Sequence, residues 1–271
     1  MLTELVKAII IGIVEGITEW LPVSSTGHMI LLDELLHLNI TAEFREVFLV
    51  VIQLGAVLAV AVTFFRRLFP FFPGLTNVER SGIWNLWGKI IVACLPAAII
   101  GILFDDKIDA LFYNWQTVAA TLIFYGMVFI VIEKTGRKKP KITTTTDITY
   151  KTALFIGLFQ LLSLIPGTSR SGATIIGAML LGASRSAATE FTFFLALPVM
   201  AGASLVKLVK FGFAFTGSEA AILLVGAATA FLVSIAAIKF LTGFVKKHNF
   251  VGFGVYRIAL GAAVILFFVL M

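Results

Sequence analysis

Long uncharged stretches alternate with short polar breaks along the whole chain, and this pattern predicts ten helical segments. The segments lie at about 4–21, 24–37, 44–65, 84–104, 112–133, 150–165, 169–183, 186–210, 218–243 and 250–271. The first, second, sixth and seventh segments are too short to span a bilayer core of about 30 Å, whereas the other six are long enough. The expected fold class is therefore an all-α, polytopic membrane protein.

The ten segments form two sets of five, and each set begins with two short segments joined by a turn rich in proline, glycine and serine. Non-helical backbone at membrane depth is tolerated only where protein or a wet cavity surrounds it, so each pair is predicted to be a re-entrant helical hairpin. The first half is 1–137 with its hairpin at about 4–37, and the second is 150–271 with its hairpin at about 150–183. Each half then adds three spanning helices, and because three is odd the second half is predicted to be an inverted-topology repeat of the first.

Composition excludes a soluble protein, because 59% of the residues are hydrophobic and the mean hydropathy is +1.03. The first apolar stretch contains Glu15 and Glu19 and has no small-residue cleavage site after it, so we do not expect it to be a removable signal peptide. The single cysteine, Cys94, rules out an intrachain disulfide. The net charge of +6 comes from basic residues scattered at segment ends, and this distribution argues against nucleic acid as a partner.

The basic residues fall mainly on one predicted side of the membrane. That side carries Arg66, Arg67, Arg80, Lys89, Lys134, Arg137, Lys138, Lys139, Lys141, Lys151, Lys239, Lys246 and Lys247. The other side carries Lys7, Arg45, Lys107, Lys207 and Lys210. By the positive-inside rule the first side is cytoplasmic, so both termini are predicted outside, and the two hairpins enter the membrane from opposite faces.

The turn of the first hairpin, residues 15–28, carries two carboxylates, two serines and a histidine. Ionisable groups at membrane depth usually face a water-filled cavity or one another, so this cluster predicts a functional site. Glu15 and Glu19 are four residues apart and share one helix face. Two carboxylates this close repel each other unless a cation lies between them, which indicates a divalent metal or another cationic partner. Ser25 and His28 are three residues apart and could reach a common substrate atom.

A second polar motif follows 145 positions later in the turn of the second hairpin, where Ser169 corresponds to Ser24 and Gly172 to Gly27. Its sequence, PGTSRSGAT at 166–174, combines glycines with the start of a half-helix and one arginine, Arg170. Converging backbone N–H groups, a helix N-terminus and a guanidinium make an anion-binding cradle, for which phosphate is the natural ligand.

Three motifs, EGITE at 15–19, PVSSTGH at 22–28 and PGTSRSGAT at 166–174, resemble in order and spacing those of the bacitracin-resistance type undecaprenyl-pyrophosphate phosphatases. The likeness extends over essentially the whole chain. It implies an enzyme of the bacterial inner membrane that removes one phosphate from undecaprenyl pyrophosphate, recycles the lipid carrier for cell-wall synthesis and confers bacitracin resistance. It also implies a requirement for a divalent cation, Ca²⁺ or Mg²⁺, a tendency to form homodimers, and a site that opens toward the outer face.

The expected mechanism assigns catalytic roles to four residues. Ser25 attacks the terminal phosphorus with His28 as base, while a water activated by His28, or His28 itself, remains an alternative nucleophile. Arg170 holds the diphosphate, and Glu15 and Glu19 position the cation. The further diphosphate-binding residues are expected to be Ser24, Thr26, Gly27, Ser169, Ser171, Gly172 and Thr174.

A transporter or flippase for lipid phosphate or another anion is the alternative function, because inverted repeats with broken helices are best known from transporters. A pure transporter needs binding groups but no nucleophile beside a base, so release of inorganic phosphate distinguishes the two. In either case the expected partners are a polyprenyl pyrophosphate or related lipid and the surrounding membrane lipids.

Overall fold

The computed structural model describes residues 1–135, 139–212 and 214–270, and its elements in these ranges are helices apart from one isolated β-bridge. The α-helices are α1 (Leu2–Thr18), α2 (Ser25–Leu36), α3 (Ala42–Thr63), α4 (Phe65–Leu68), α5 (Asn77–Phe112), α6 (Trp115–Lys134), α7 (Tyr150–Gln160), α8 (Arg170–Leu180), α9 (Arg185–Phe211), α10 (Gly217–Lys247) and α11 (Val251–Leu270). Two 3-10 helices lie at Thr145–Asp147 and Leu161–Leu164. The predicted boundary at 137, the basic residues Arg137 and Lys138, and Met271 lie outside the described residues.

Six of the described helices, α3, α5, α6, α9, α10 and α11, are long and apolar enough to cross a membrane. They are the six predicted spanning segments, so the prediction of an all-α, multi-pass membrane protein is confirmed. The four-residue helix α4 was not predicted, because it is too short to produce a periodic pattern.

Helix α5 begins at Asn77, so the predicted start at 84 was wrong. The hydroxyl and backbone N–H of Thr76 donate to the carboxylate of Glu79 at 2.7 and 2.8 Å, and the N–H of Glu79 donates back to the hydroxyl at 3.2 Å. This reciprocal cap satisfies N–H groups that a helix start leaves unpaired, so the helix extends into the polar residues before the apolar run.

Glycines on α1 and α3 allow these helices to approach the backbone of α10 closely. A Cβ atom at Gly12 would lie 2.6 Å from the carbonyl oxygen of Gly226, and one at Gly55 would overlap the carbonyl of Ala227. The hydroxyl of Ser234 on α10 also donates to the carbonyl of Gly16 at 3.3 Å. Such close packing, typical of membrane helices with small residues at their interface, holds α1 in place and with it the glutamates near its end.

The two short helix pairs each have their outer ends tied together. The side chain of Lys7, near the start of α1, donates to the carbonyl oxygen of His37, just after α2, at 2.9 Å. In the second pair, the N–H of Ser184 donates to the carbonyl oxygen of Ile142 at 2.8 Å, which joins the end of α8 to the segment before α7. In each pair a hydrogen bond therefore joins the region before or at the start of the first helix to the segment that follows the second.

The connection before α7 is organised around the carboxylate of Asp147. This carboxylate accepts hydrogen bonds from the backbone N–H groups of Thr144 and Thr143 at 2.9 and 3.0 Å, and from the hydroxyl of Thr143 at 3.1 Å. Backbone donors, followed by the threonine hydroxyls, favour the charged form and lower the pKa of Asp147 below its ordinary value.

We expect Asp147→Asn to lower thermal stability at neutral pH, and the difference from the parent to shrink as pH falls below about 4. A carboxyl whose pKa is depressed in the folded state stabilises it fully above the unfolded pKa and loses that contribution as pH falls through the folded pKa. Thermal unfolding in detergent between pH 3 and 7 measures this. A difference that does not change with pH would contradict the assignment to the carboxylate charge.

Candidate active site

The two glutamates of the first motif lie on one face at the end of α1. The N–H of Glu19 donates to the carbonyl oxygen of Glu15 at 3.0 Å, so the helical turn continues through Glu19. Both residues are buried, with exposed fractions of 1% for Glu15 and 8% for Glu19. The predicted stacking of two carboxylates one turn apart is therefore present in the structure.

An ion pair joins the turns of the two short helix pairs, α1–α2 and α7–α8. Arg170 Nη2 donates to Glu19 Oε1 at 3.1 Å, and Arg170 Nη1 donates to the carbonyl oxygen of Thr192 on α9 at 3.1 Å. Both side chains of the ion pair are about nine-tenths buried. The Nε–H of Arg170 has no hydrogen-bond partner in the described part of the chain, so the guanidinium keeps a donor for an anion.

One serine caps the second helix of each short helix pair, Ser24 for α2 and Ser169 for α8, and both serines have a positive φ. Ser24 has φ of 73° and its hydroxyl accepts from the N–H of Gly27 at 3.3 Å, while Ser169 has φ of 72° and accepts from the N–H of Gly172 at 3.1 Å. Positive φ is uncommon for residues other than glycine and costs about 1–3 kcal/mol. Strain of this kind at both turns is characteristic of a functional site, and it directs the starts of α2 and α8.

Ser25 contacts the carboxylate of the first motif and not the histidine. Its hydroxyl donates to Glu19 Oε2 at 2.9 Å, so the same carboxylate binds both Ser25 and Arg170. The two ring nitrogens of His28 lie 2.7 Å from the carbonyl oxygen of Ser24 and 2.7 Å from the hydroxyl of Tyr256. The role of His28 as base for Ser25 stays a prediction, since the hydrogen bond of Ser25 in this structure points to Glu19.

The predicted diphosphate-binding residues fall into two groups. Ser171 reaches the first turn, because its hydroxyl donates to the carbonyl oxygen of Glu19 at 3.1 Å, and Thr26 is half-buried beside Ser25. Thr174 is fully buried and donates to the carbonyl oxygen of Arg170 at 2.9 Å, so it supports α8 from inside. Its role in diphosphate binding stays a prediction. The structure therefore brings Ser171 to the first turn, whereas the hydroxyl of Thr174 contacts the backbone of α8.

Arg257 on α11 holds both turns together, a role that was not predicted from the sequence. This fully buried guanidinium donates to the carbonyl oxygens of Gly167 and Thr168 at 2.8 and 3.0 Å, and of Pro22 at 3.4 Å. The sequence feature that could have identified Arg257 is a lone arginine in an apolar span. Tyr256, the partner of His28, carried no such signal because tyrosine is common in membrane helices.

The buried carboxylates have the chemistry that a divalent cation requires. Glu15 Oε1 is buried without a hydrogen-bond partner among the described residues, and hard oxygen donors are what Ca²⁺ and Mg²⁺ prefer. Both oxygens of Glu19 already have partners. Within the described ranges no group of three or more His, Cys, Asp or Glu side chains is arranged to hold a metal ion. The unpartnered oxygen of Glu15 is therefore the feature of this cluster that fits a divalent cation.

The chain is similar to known proteins over nearly its whole length. A family model described as "Bacitracin resistance protein BacA" matches residues 8–263. The chain is 57% identical over 269 residues to "Undecaprenyl-diphosphatase 1" of Clostridium acetobutylicum, with 98% of each protein covered. It is 59% identical over 268 residues to an "Undecaprenyl-diphosphatase" of Lachnoclostridium phytofermentans and 56% identical over 269 residues to one of Enterococcus faecalis, again with 98% of each covered. The protein therefore belongs to the BacA family of bacitracin resistance proteins.

Proposed function

We propose that this protein converts undecaprenyl pyrophosphate to undecaprenyl phosphate and inorganic phosphate, which recycles the lipid carrier for cell-wall synthesis and confers resistance to bacitracin. The observation that carries the proposal is the convergence of Ser25 and Arg170 on the carboxylate of Glu19, within 2.9 and 3.1 Å. A hydroxyl nucleophile, a carboxylate and a guanidinium in one buried cluster are suited to phosphoryl transfer. The names of the relatives support the choice of substrate.

Ser25 is the proposed nucleophile. Its oxygen bonds to the terminal phosphorus while the bond from that phosphorus to the bridging oxygen breaks, and undecaprenyl phosphate leaves. The hydroxyl proton passes to Glu19, which already accepts the hydrogen bond from Ser25 at 2.9 Å. Water then attacks the phosphoserine, with His28 as the base that accepts its proton. The bond from phosphorus to the Ser25 oxygen breaks, that oxygen takes back the proton held by Glu19, and inorganic phosphate is released. Direct attack by water or by His28 remains the alternative.

Arg170 and the backbone N–H groups at the start of α8 are the proposed diphosphate cradle. The unpartnered Nε–H of Arg170 supports this role, since the guanidinium retains a donor after pairing with Glu19. The start of α8 adds N–H groups and the positive end of a helix dipole. Charge neutralisation by such groups dominates phosphoryl transfer, because the transition state spreads negative charge over the equatorial oxygens.

A divalent cation held by Glu15 and Glu19 is part of the proposal. When bound, Ca²⁺ or Mg²⁺ would neutralise charge on the phosphate oxygens. The buried, unpartnered oxygen of Glu15 supports this site. The further residues proposed to bind the diphosphate are Ser24, Thr26, Gly27, Ser169, Ser171, Gly172 and Thr174.

Two re-entrant hairpins in inverted halves, 1–137 and 150–271, are the proposed architecture. The tied outer ends of each helix pair support re-entrant hairpins, and the matched caps of Ser24 and Ser169 support a repeat. We further propose location in the bacterial inner membrane with both termini outside, a site open to the outer face and assembly as a homodimer. The excess of lysine and arginine on one side supports the orientation.

We expect the purified protein in detergent to release inorganic phosphate from undecaprenyl or farnesyl pyrophosphate when Ca²⁺ or Mg²⁺ is present. Chelation with EDTA should abolish release, and added cation should restore it. Without the cation, the negative charges of the two glutamates and of the diphosphate repel one another. An Arg170→Ala variant purified in parallel controls for contaminating phosphatases. No release with cation present would contradict the proposal and favour the transporter or flippase.

A further inference from the structure

Within the described part of the chain, the guanidinium of Arg257 gives all its hydrogen bonds to backbone carbonyls. Its Nη2 donates to the carbonyl oxygens of Gly167 and Thr168 at 2.8 and 3.0 Å. Longer contacts, of 3.4 and 3.5 Å, reach the carbonyl oxygens of Pro22 and Thr121. A fully buried charge at membrane depth is costly, so a functional task has to be considered for it. The two short hydrogen bonds fix Arg257 mainly to the second turn.

The hydrogen bond to Thr168 also determines the direction of a backbone donor. The carbonyl of Thr168 and the N–H of Ser169 belong to one trans peptide group, in which the two point in opposite directions. Because the carbonyl is turned toward Arg257, the N–H of Ser169 points away from it. This N–H forms no hydrogen bond to any residue that the structure describes, so it is free to bind an anion.

The next two backbone donors, at the start of α8, are free as well. The N–H groups of Arg170 and Ser171 have no hydrogen-bond partner in the described ranges, whereas that of Gly172 donates to Ser169 Oγ at 3.1 Å. The guanidinium of Arg257 packs against this same helical turn, since a Cβ atom at Gly172 would lie 3.4 Å from its Nη1. Successive free N–H groups at a helix start form a concave site suited to phosphate oxygens.

We propose that Arg257 is a positioning residue for the phosphatase reaction: it holds the carbonyls of the second turn so that the N–H groups of Ser169, Arg170 and Ser171 are aimed at the diphosphate. This inference rests on the proposed function, which places the diphosphate at the start of α8. Arg257 acts through the backbone, because its buried guanidinium is bound to carbonyls. The competing explanation is purely structural, with Arg257 stabilising the helix packing and the backbone donors independent of it.

Arg257→Lys separates the two explanations, because lysine keeps the positive charge but cannot reproduce the planar fork. Methylenediphosphonate, a diphosphate analogue whose bridge cannot be hydrolysed, reports binding of the headgroup without turnover. We expect its Kd, measured by calorimetry in detergent with Mg²⁺, to rise about tenfold through loss of one charge-assisted hydrogen bond. The value of kcat/KM for release of phosphate from farnesyl pyrophosphate should fall at least as much.

Lys89→Met is the matched control. Lys89 is also a buried cation bound to a backbone carbonyl, since its Nζ donates to the carbonyl oxygen of Thr146 at 3.0 Å in the connection before α7. We expect both variants to lose thermal stability but only Arg257→Lys to bind the analogue more weakly. Parental Kd and kcat/KM in folded Arg257→Lys would overturn the positioning role. An equal loss of binding in Lys89→Met would overturn it as well, because any buried cation would then have the same effect.

Hydrogen–deuterium exchange tests the backbone donors in the parent protein and needs no variant. Peptides that contain the second turn, 166–174, should exchange more slowly when methylenediphosphonate is bound, and Arg257→Lys should reduce this protection. No protection in a parent protein that binds the analogue would overturn the inference, even if Arg257→Lys does not fold. If the parent releases no phosphate, the proposed function fails, and the binding and exchange measurements still decide whether Arg257 aims these donors.

Discussion

Arg170→Ala is expected to lower kcat/KM for phosphate release by about a thousandfold. The substitution removes a charge-assisted hydrogen bond of 3.1 Å to Glu19 and the donor that the unpartnered Nε–H offers to the diphosphate. Breaking a buried ion pair costs about 3–5 kcal/mol, because the remaining charge stays buried without compensation. Here that charge is the Glu19 carboxylate, which accepts the hydrogen bond of Ser25, so the substitution also disturbs the proposed nucleophile.

Two further variants identify the origin of this loss. Arg170→Lys keeps a positive charge but loses the planar fork, so we expect an intermediate rate. Arg45→Ala is the matched control, because Arg45 pairs with Asp33 at the surface and has 45% of its side chain exposed. A surface pair contributes little, so its rate should stay at the parental value. Parental activity in Arg170→Ala would contradict the diphosphate cradle.

Ser25→Ala is expected to reduce phosphate release on the order of a thousandfold or more, because it removes the attacking oxygen. The matched control is Ser24→Ala, one position earlier. Ser24 caps α2 by accepting from the N–H of Gly27 at 3.3 Å, and loss of such a cap costs about 1 kcal/mol of stability. We therefore expect a clearly smaller loss of rate in Ser24→Ala than in Ser25→Ala or Arg170→Ala.

Trapping the intermediate separates the three candidate nucleophiles. Brief reaction with labelled substrate followed by acid quenching should leave an acid-stable phosphate on Ser25, identified by mass spectrometry of the peptide. Attack by His28 would instead give an acid-labile adduct on the imidazole. Direct attack by water would give no adduct, and near-parental activity of Ser25→Ala would exclude the serine.

All the α-helices except the four-residue α4 were predictable because each is specified by a local pattern. Uncharged runs long enough to cross a bilayer predicted the spanning helices, and prolines, glycines and serines marked the breaks. The start of α5 was missed because a reciprocal cap between Thr76 and Glu79 carries the helix past the apolar run. The candidate residues were found by the same local logic, since ionisable groups are conspicuous in apolar surroundings.

Contacts between residues that are far apart in the sequence were not predictable in this way. Glu19 and Arg170 are 151 positions apart, and both were singled out as chemically suited, but no pattern specified that they touch. Tyr256 is of a residue type common in membrane helices, so its contact with His28 had no signal of its own in the sequence. The hydrogen bond of Ser25 to Glu19, and not to His28, also depends on how the turn after α1 folds back.

The amino-acid sequence by itself determined where the helices lie, that they belong in a membrane and which polar residues are exceptional there, because burial in lipid and helix capping act over a few turns of one helix. Only the tertiary structure decided which of these groups are in contact. The carboxylate of Glu19 binds Ser25 and Arg170, and the imidazole of His28 binds the phenol of Tyr256. Close packing of α1 against α10, and the buried Arg257 between the two turns, set those distances. The physical reason is that contacts between distant segments depend on the shapes of all the helix faces together, whereas a local pattern records only one face at a time.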